Sequence, residues 1–281
     1  MVLDKAAFQI DGATELMAII ADPVYQASTP GLANALIRDK NLNQVLVPLH
    51  VKTYGLSDVV SSLRHIHNFI GAVVSMPHKT TIIKLLDELT PEAQQVGACN
   101  VIRRNKDGKL VGTMLDGEGF VKGLSNSGYT VKEKNVFIVG SGGAASGLAF
   151  AVARHGANRL RIFNRTKAKA VNLIENLKSY FPKIDIEYSD TISADDQIIV
   201  NGTSVGMKEN EGLPISLFTV TESSLVADIV VAPEMTAFLN EAKKKNCLIH
   251  KGKEMLEGQI SLMIDFMNAT YDNRNLLRKD P

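Results

Sequence analysis

Cysteine is nearly absent: the 281 residues contain two, Cys99 and Cys247. That excludes a disulfide framework and a cysteine metal cluster, and makes a reducing, cytoplasmic setting the expectation. An excess of one charge is also missing. Lys and Arg number 31 against 30 Asp and Glu, a net charge of +1, which leaves no electrostatic case for nucleic acid or an anionic membrane as partner. No apolar run reaches membrane-spanning length. The N-terminus, Met-Val-Leu-Asp-Lys, has no basic stretch ahead of a long apolar run, so no signal peptide is expected. The six histidines are dispersed. His65 and His67 stand two apart and would not share a helix face, so no metal site is expected. Hydrophobic residues make up 45% and charged residues 22%, so a packed core is expected, in two domains of ordinary size.

Up to about residue 115 short apolar runs alternate with helical patterns. Leu16–Ile20 reads as a buried strand, Gln44–His50, with Pro48 near its end, as a second strand and Ile70–Ser75 as a third; Ala33–Arg38 and Thr80–Leu86 read as helices. Such alternation implies parallel strands joined by crossover helices. Asn100–Arg104 and Lys109–Thr113 flank Asp107-Gly108, a hairpin signal. From about residue 134 a second strand set begins, at 135–140, 159–164, 184–188, 197–201, 225–231 and 247–250. It predicts a six-strand Rossmann pattern whose third strand is unusually polar. Ala144–Arg154 reads as a helix ended by Gly156, and a helical segment runs from Gly252 to about residue 277. The fold class is therefore α/β, with an N-terminal domain over 1–115, completed by 255–281, and a Rossmann domain over 116–254.

One further absence carries chemistry. The apolar run Val136–Val139 leads into Gly140-Ser141-Gly142-Gly143-Ala144, a glycine turn opening a helix, which is how bare backbone N–H groups reach a pyrophosphate. After the second strand, a dinucleotide fold commonly places an acid for the ribose 2′-hydroxyl. Here stand Asn164, Arg165 and Thr166, followed by Lys169. Arg offers a planar fork and Lys a point charge to a phosphate, so the expected nucleotide carries a 2′-phosphate: NADP rather than NAD.

The remaining polar clusters are individually weak. Lys79 in Ser75-Met-Pro77-His78-Lys79 follows a buried strand, where active sites of parallel sheets collect, yet alone it reads as a surface residue starting a helix. Asp116, before Gly117, alone reads as a turn residue or N-cap. As a pair they would move a hydroxyl proton while a nicotinamide takes the hydride. Asn201–Met207 follows a buried strand and either meets the nicotinamide end or is an ordinary Asn-Gly turn. Gln259 sits in an apolar helix, either facing polar company or on the solvated face.

Taken in order along nearly the whole chain, these segments resemble the shikimate dehydrogenase family. Gly71–Lys79 is similar to its G-x-N-V-T-x-P-x-K block, Gly97–Asn100 to G-A-x-N, and Gly112–Gly117 to G-x-N-T-D-G. Asp22–Pro30, Gly140–Ala145, Asn164–Thr166, Asn201–Met207, Asp228–Pro233 and Gly252–Gln259 follow in the family's order. The resemblance implies a substrate-binding domain, an NADP-binding Rossmann domain, and a C-terminal helix returning to the first. It implies reversible hydride transfer between NADP and a ring hydroxyl of shikimate, 3-dehydroshikimate or a related cyclic hydroxy acid, in a homodimer. Lys79 and Asp116 are then catalytic, with Lys79 the proton carrier. Gln26, Ser28, Thr29, Ser75, Asn100 and Gln259 would bind substrate. Thr203, Val205, Met207 and Gly252 would join the glycine turn, Asn164, Arg165, Thr166 and Lys169 at the cofactor.

The departures concentrate at one place. The family's His-Ser-x-Ser-Pro loop, whose serines receive the substrate carboxylate, reads Gln26-Ala27-Ser28-Thr29-Pro30. The tyrosine that helps hold that carboxylate falls at Val231; Val73, Ser75, Met114 and Leu115 also replace family residues. A buried carboxylate short of donors loses about a thousandfold in affinity. Either Gln26, Ser28, Ser75 and His78 compensate, or the substrate differs: a quinate-type or other diol. A non-catalytic NADP-binding regulator is the reading from another class, and retention of both Lys79 and Asp116 argues against it.

Overall fold

The computed structural model describes residues 10–269. The expected helix beyond Ala269, and the domain tails 1–9 and 270–281, lie outside the described residues. In chain order the first elements are β1 (Glu15–Ala21), α1 (Thr29–Asp39), β2 (Gln44–His50), α2 (Leu56–Leu63), β3 (Phe69–Val74), β4 (Glu88–Leu89), α3 (Pro91–Val96), β5 (Val101–Arg104) and β6 (Leu110–Thr113). Then come α4 (Asp116–Asn126), β7 (Asn135–Val139), α5 (Gly143–Arg154), β8 (Arg159–Phe163), α6 (Lys167–Tyr180), β9 (Asp185–Tyr188), β10 (Ile198–Asn201), β11 (Leu225–Asp228), α7 (Ala237–Lys244), β12 (Leu248–His250) and α8 (Gly252–Asn268).

The described residues divide into two compact units: 10–90, 99–113 and 260–269 form the first, 91–98 and 114–259 the second. The segment 91–98 lies inside the range read from sequence as first domain, yet it clusters with the second unit. Gln95 explains why: its side chain accepts from Arg154 at 3.0 Å and its carbonyl from Asn176 at 2.8 Å.

The first unit holds a six-stranded sheet ordered β2-β1-β3-β5-β6-β4. β1 lies parallel to β2 and β3, and β5–β6 is the expected antiparallel hairpin. β1 is apolar and buried from Met17 to Ala21, as a central strand covered on both faces requires. α1 starts with Pro30 in its first turn, where a missing N–H costs nothing, and buries Ala33 and Ile37. The expected helix over Thr80–Leu86 is not α-helical; only a 3-10 turn at Ile82–Leu85 forms. Four consecutive β-branched residues, Thr80–Ile83, disfavour the α-helix, and the Lys79 carbonyl is taken by the Cys99 amide at 2.8 Å. The second half of α8 belongs to this unit: Asp265 pairs with Lys40 at 3.0 Å, and Met267 fills the space over Gly71.

The second unit is a parallel sheet ordered β12-β11-β10-β7-β8-β9, the Rossmann order. Alternate residues of its strands feed cores on opposite faces, Val136, Ile138 and Val200 on one, Phe137, Val139 and Ile199 on the other. The polar β9 is an edge strand, which accounts for its composition. Gly156, φ +80°, ends α5 as expected. Glu254 accepts the Lys251 amide at 2.7 Å and so caps the start of α8.

Candidate active site

In the first unit the candidate substrate residues gather at the carboxyl ends of β1 and β3. The Asp22 amide bonds to the Met76 carbonyl at 3.0 Å, and Ser75 to Ile20 at 2.9 Å, so the loop 22–28 and the segment 75–79 are stitched together. Val74 bonds to the Asn100 carbonyl at 2.7 Å and Asn100 to Thr113 at 3.0 Å, which sets Asn100, 1% exposed, beside them. Lys79 is half-buried, its carbonyl paired with Cys99 next to Asn100. Thr29 is buried, Ser28 and Gln26 are exposed, and Ala27 and Ser75 are half-buried.

His78 does not serve as a replacement donor there. Its ring is fully buried and its Nε2 lies 2.8 Å from the Val51 carbonyl, which engages its N–H in the wall of the unit. The nearby basic side chains His50 and Lys52 are engaged too, both on Asp22, at 2.8 and 3.0 Å. Asp22 is held below the usual carboxylate range by those two hydrogen bonds, His50 first.

The second unit carries the nucleotide turn. Gly140 adopts φ +116°, its amide bonds to the Phe163 carbonyl at 2.7 Å, and a side chain there would press on Gly202 and Ala145. Gly142 occupies the N-cap of α5 with no side-chain cap, so the amides of Gly143 and Ala144 open the helix towards any anion. A side chain at Gly142 would meet open space, and the buried Ser141 Oγ has no protein partner. An uncapped helix start, an open cradle and an orphaned hydroxyl fit a dinucleotide phosphate. Asn164 donates to the Thr166 carbonyl at 2.9 Å, while Arg165, Thr166 and Lys169 are exposed at the start of α6. Thr166 is the N-cap residue of α6 by position but makes no side-chain cap bond. Gly252 is a close-packing residue: a Cβ there would overlap the Val230 carbonyl.

Asp116 opens α4, and Gln259 lies in the first half of α8. Gln259 Nε2 donates to Asp116 Oδ1 at 2.8 Å, with both residues buried, so the glutamine faces polar company rather than solvent. Close approach is made possible by Gly119, where a Cβ would stand 2.5 Å from that of Gln259.

Sequence reading missed the role of Asp228 and Thr236. Asp228 Oδ1 accepts from Asn201 Nδ2 at 3.0 Å and from the Val230 amide at 2.9 Å; Oδ2 accepts from Thr236 at 2.7 Å. Asn201 also reaches Val205 and Thr203. Burial pushes the Asp228 carboxyl up to about 6, against the lowering effect of its hydrogen bonds. The signal was present: an acid closing the apolar run Leu225-Val-Ala. That acid also ends β11 at Asp228 rather than at residue 231, because it turns back to the Val230 amide.

A nucleotide-binding Rossmann unit, joined to an α/β unit whose loops present Lys, Asn and hydroxyl side chains, defines a dinucleotide-dependent oxidoreductase class. The chain belongs to the shikimate dehydrogenase family. The family models matched are the shikimate dehydrogenase substrate binding domain, over residues 19–102, and shikimate / quinate 5-dehydrogenase, over residues 124–245. The shikimate dehydrogenase (NADP(+)) of Lysinibacillus sphaericus strain C3-41 is 36% identical over 92% of this chain and 94% of its own. The crystal structure of Listeria monocytogenes shikimate 5-dehydrogenase with shikimate and NAD is similar at TM-score 0.83 and 32% identity, covering 92% of this chain and 93% of that one. Ligand-free 5-ketofructose reductase of Gluconobacter sp. strain CHM43 is similar at TM-score 0.81 and 28% identity, covering 91% and 93%. Among the described residues no helix is long and apolar enough to cross a membrane.

Proposed function

We propose that this chain catalyses reversible hydride transfer between NADP and a ring hydroxyl of shikimate, 3-dehydroshikimate or a closely related cyclic hydroxy acid. The observation that carries the reading is the buried Gln259–Asp116 pair, kept together with Lys79 and Asn100 while the residues of loop 26–29 depart from the family. With its pyrophosphate at the glycine turn, NADP would supply the hydride acceptor through its nicotinamide. The protein's part is the proton and the geometry. Lys79 carries the proton of the reacting hydroxyl, and Asp116 accepts a hydrogen bond from it. Asn100 and Gln259 hold neighbouring hydroxyls; Ser28, Thr29, Ser75 and Gln26 offer hydroxyl and amide groups to the far end of the ring. Gly140–Ala144 cradle the pyrophosphate, and Asn164, Arg165, Thr166 and Lys169 receive the 2′-phosphate. Thr203, Val205, Met207 and Gly252 face the nicotinamide. The two free buried cysteines suit a cytoplasmic, reducing setting; the homodimer rests on the family resemblance.

A second substrate reading has its own support. Ala27 and Val231 bring no donor, and both His50 and Lys52 are engaged by Asp22. These features favour a substrate with hydroxyl or keto groups in place of a carboxylate, and a ketose reductase stands among the similar structures. A panel decides: shikimate, quinate and neutral polyols with NADP+ and NAD+, and the neutral ketose 5-ketofructose with NADPH and NADH, read at 340 nm. Turnover of a ring acid with NADP is the expected result. Turnover of neutral polyols or the ketose alone moves the assignment to the second reading, and no turnover with any member overturns both.

A further inference from the structure

Asn201 and Asp228 end neighbouring parallel strands in register, and both are buried, at 0% and 1% exposure. Among the described residues the Asp228 carboxylate accepts from uncharged donors: the Asn201 amide, the Val230 N–H and the Thr236 hydroxyl. A buried acid without a counter-charge is costly where an apolar residue would have continued the strand pattern. It therefore needs a reason other than stability.

The reason lies in the amide of Asn201. A side-chain amide can present either its oxygen or its NH₂ to a neighbour, and its partners decide which. An ionised carboxylate only accepts, so Asp228 turns Asn201 Nδ2 towards itself. The second hydrogen of that NH₂ then reaches the Val205 carbonyl at 3.0 Å. Asn201 Oδ1 is left facing Thr203, whose N–H and Oγ1 donate to it at 3.1 and 2.7 Å. Thr203 Oγ1 in turn accepts the Val205 amide at 3.1 Å. At the loop's far end Gly206, φ +103°, lies against Thr236, the residue that donates to the other oxygen of Asp228.

We propose that Asp228 is a positioning residue for cofactor binding, which sets the orientation of the Asn201 amide and thereby the conformation of loop 201–207. The proposal rests on the reading that this loop faces the nicotinamide. Asp228→Asn keeps the shape but no longer dictates the flip, so the loop loses its single arrangement.

The test is calorimetric titration of NADP+ into the wild type, Asp228→Asn, Asn201→Ala and the double variant, normalised to the folded fraction. Each single variant should weaken NADP+ about tenfold or more. The double should be no weaker than the worse single by more than about twofold, because both act on one loop. Amide exchange of residues 203–207 in the cofactor-free protein should accelerate in both singles. A lowered melting temperature with NADP+ affinity and exchange unchanged would overturn the proposal and leave Asp228 as a structural residue; so would additive losses. If Asp228→Asn does not fold, Asn201→Ala must show both the weakened binding and the faster exchange, or the proposal fails. Wild-type protein that binds no NADP+ overturns instead the cofactor reading beneath it.

Discussion

The Gln259 amide donates to the Asp116 carboxylate at 2.8 Å, and each residue is 3% exposed. A buried carboxylate robbed of a donor is both less stable and less well aimed. Gln259→Leu should lower kcat by about ten- to a hundredfold and cost about 1–3 kcal/mol of stability. Steady-state kinetics with urea unfolding checks it. Wild-type kcat in the folded variant would remove Gln259 from the site.

Lys79 belongs to the unit that lacks the glycine turn. Lys79→Ala should therefore abolish turnover, by about a thousandfold or more, while NADP+ affinity stays within about twofold. Calorimetry separates the two effects. Retained turnover would refute the proton-carrying role.

Arg165 and Lys169 are exposed at the start of α6, where Lys167 already lies 4.6 Å from the Tyr188 ring centre. Arg165→Ala should raise KM for NADP+ about ten- to a hundredfold and leave KM for NAD+ nearly unchanged, since only the former carries the 2′-phosphate. Equal losses with both cofactors would place Arg165 elsewhere in the binding site.

Asp228 also gives a pH signature in stability. Its carboxyl is pushed up to about 6 by burial, above the value near 3.9 of an unfolded chain. The folded protein thus holds that proton more tightly. The stabilisation is complete below about pH 4 and is lost as pH rises through 6, about 3 kcal/mol in all. Wild type should therefore lose stability relative to Asp228→Asn by about that amount between pH 4 and 8, read from urea midpoints. The opposite slope would mean that the three hydrogen bonds outweigh burial.

Much of this was legible in the residues themselves. Leu16–Ile20 and Val136–Val139 announce buried strands because nothing polar interrupts them, and Gly140 announces a turn that only glycine makes easily. What stayed hidden depends on distant partners. His78 could be read as a substrate donor because Val51, which occupies it, lies 27 residues away. The helix expected after Lys79 fails on a carbonyl claimed by Cys99, and the 91–98 excursion follows from contacts of Gln95 with Arg154 and Asn176. Asp228 needed its strand neighbour Asn201 to acquire meaning.

The glycines of α4 have a practical consequence. A Cβ at Gly117 would overlap the Gly147 carbonyl, at Gly119 it would stand 2.5 Å from Gln259, and at Gly123 it would stand 2.6 Å from the Glu254 carbonyl. Gly117 and Gly123 are closed to substitution by backbone, and Gly119 by the stem of the Gln259 side chain. Anyone substituting at Asp116 inherits its pair with Gln259 as a fixed unit.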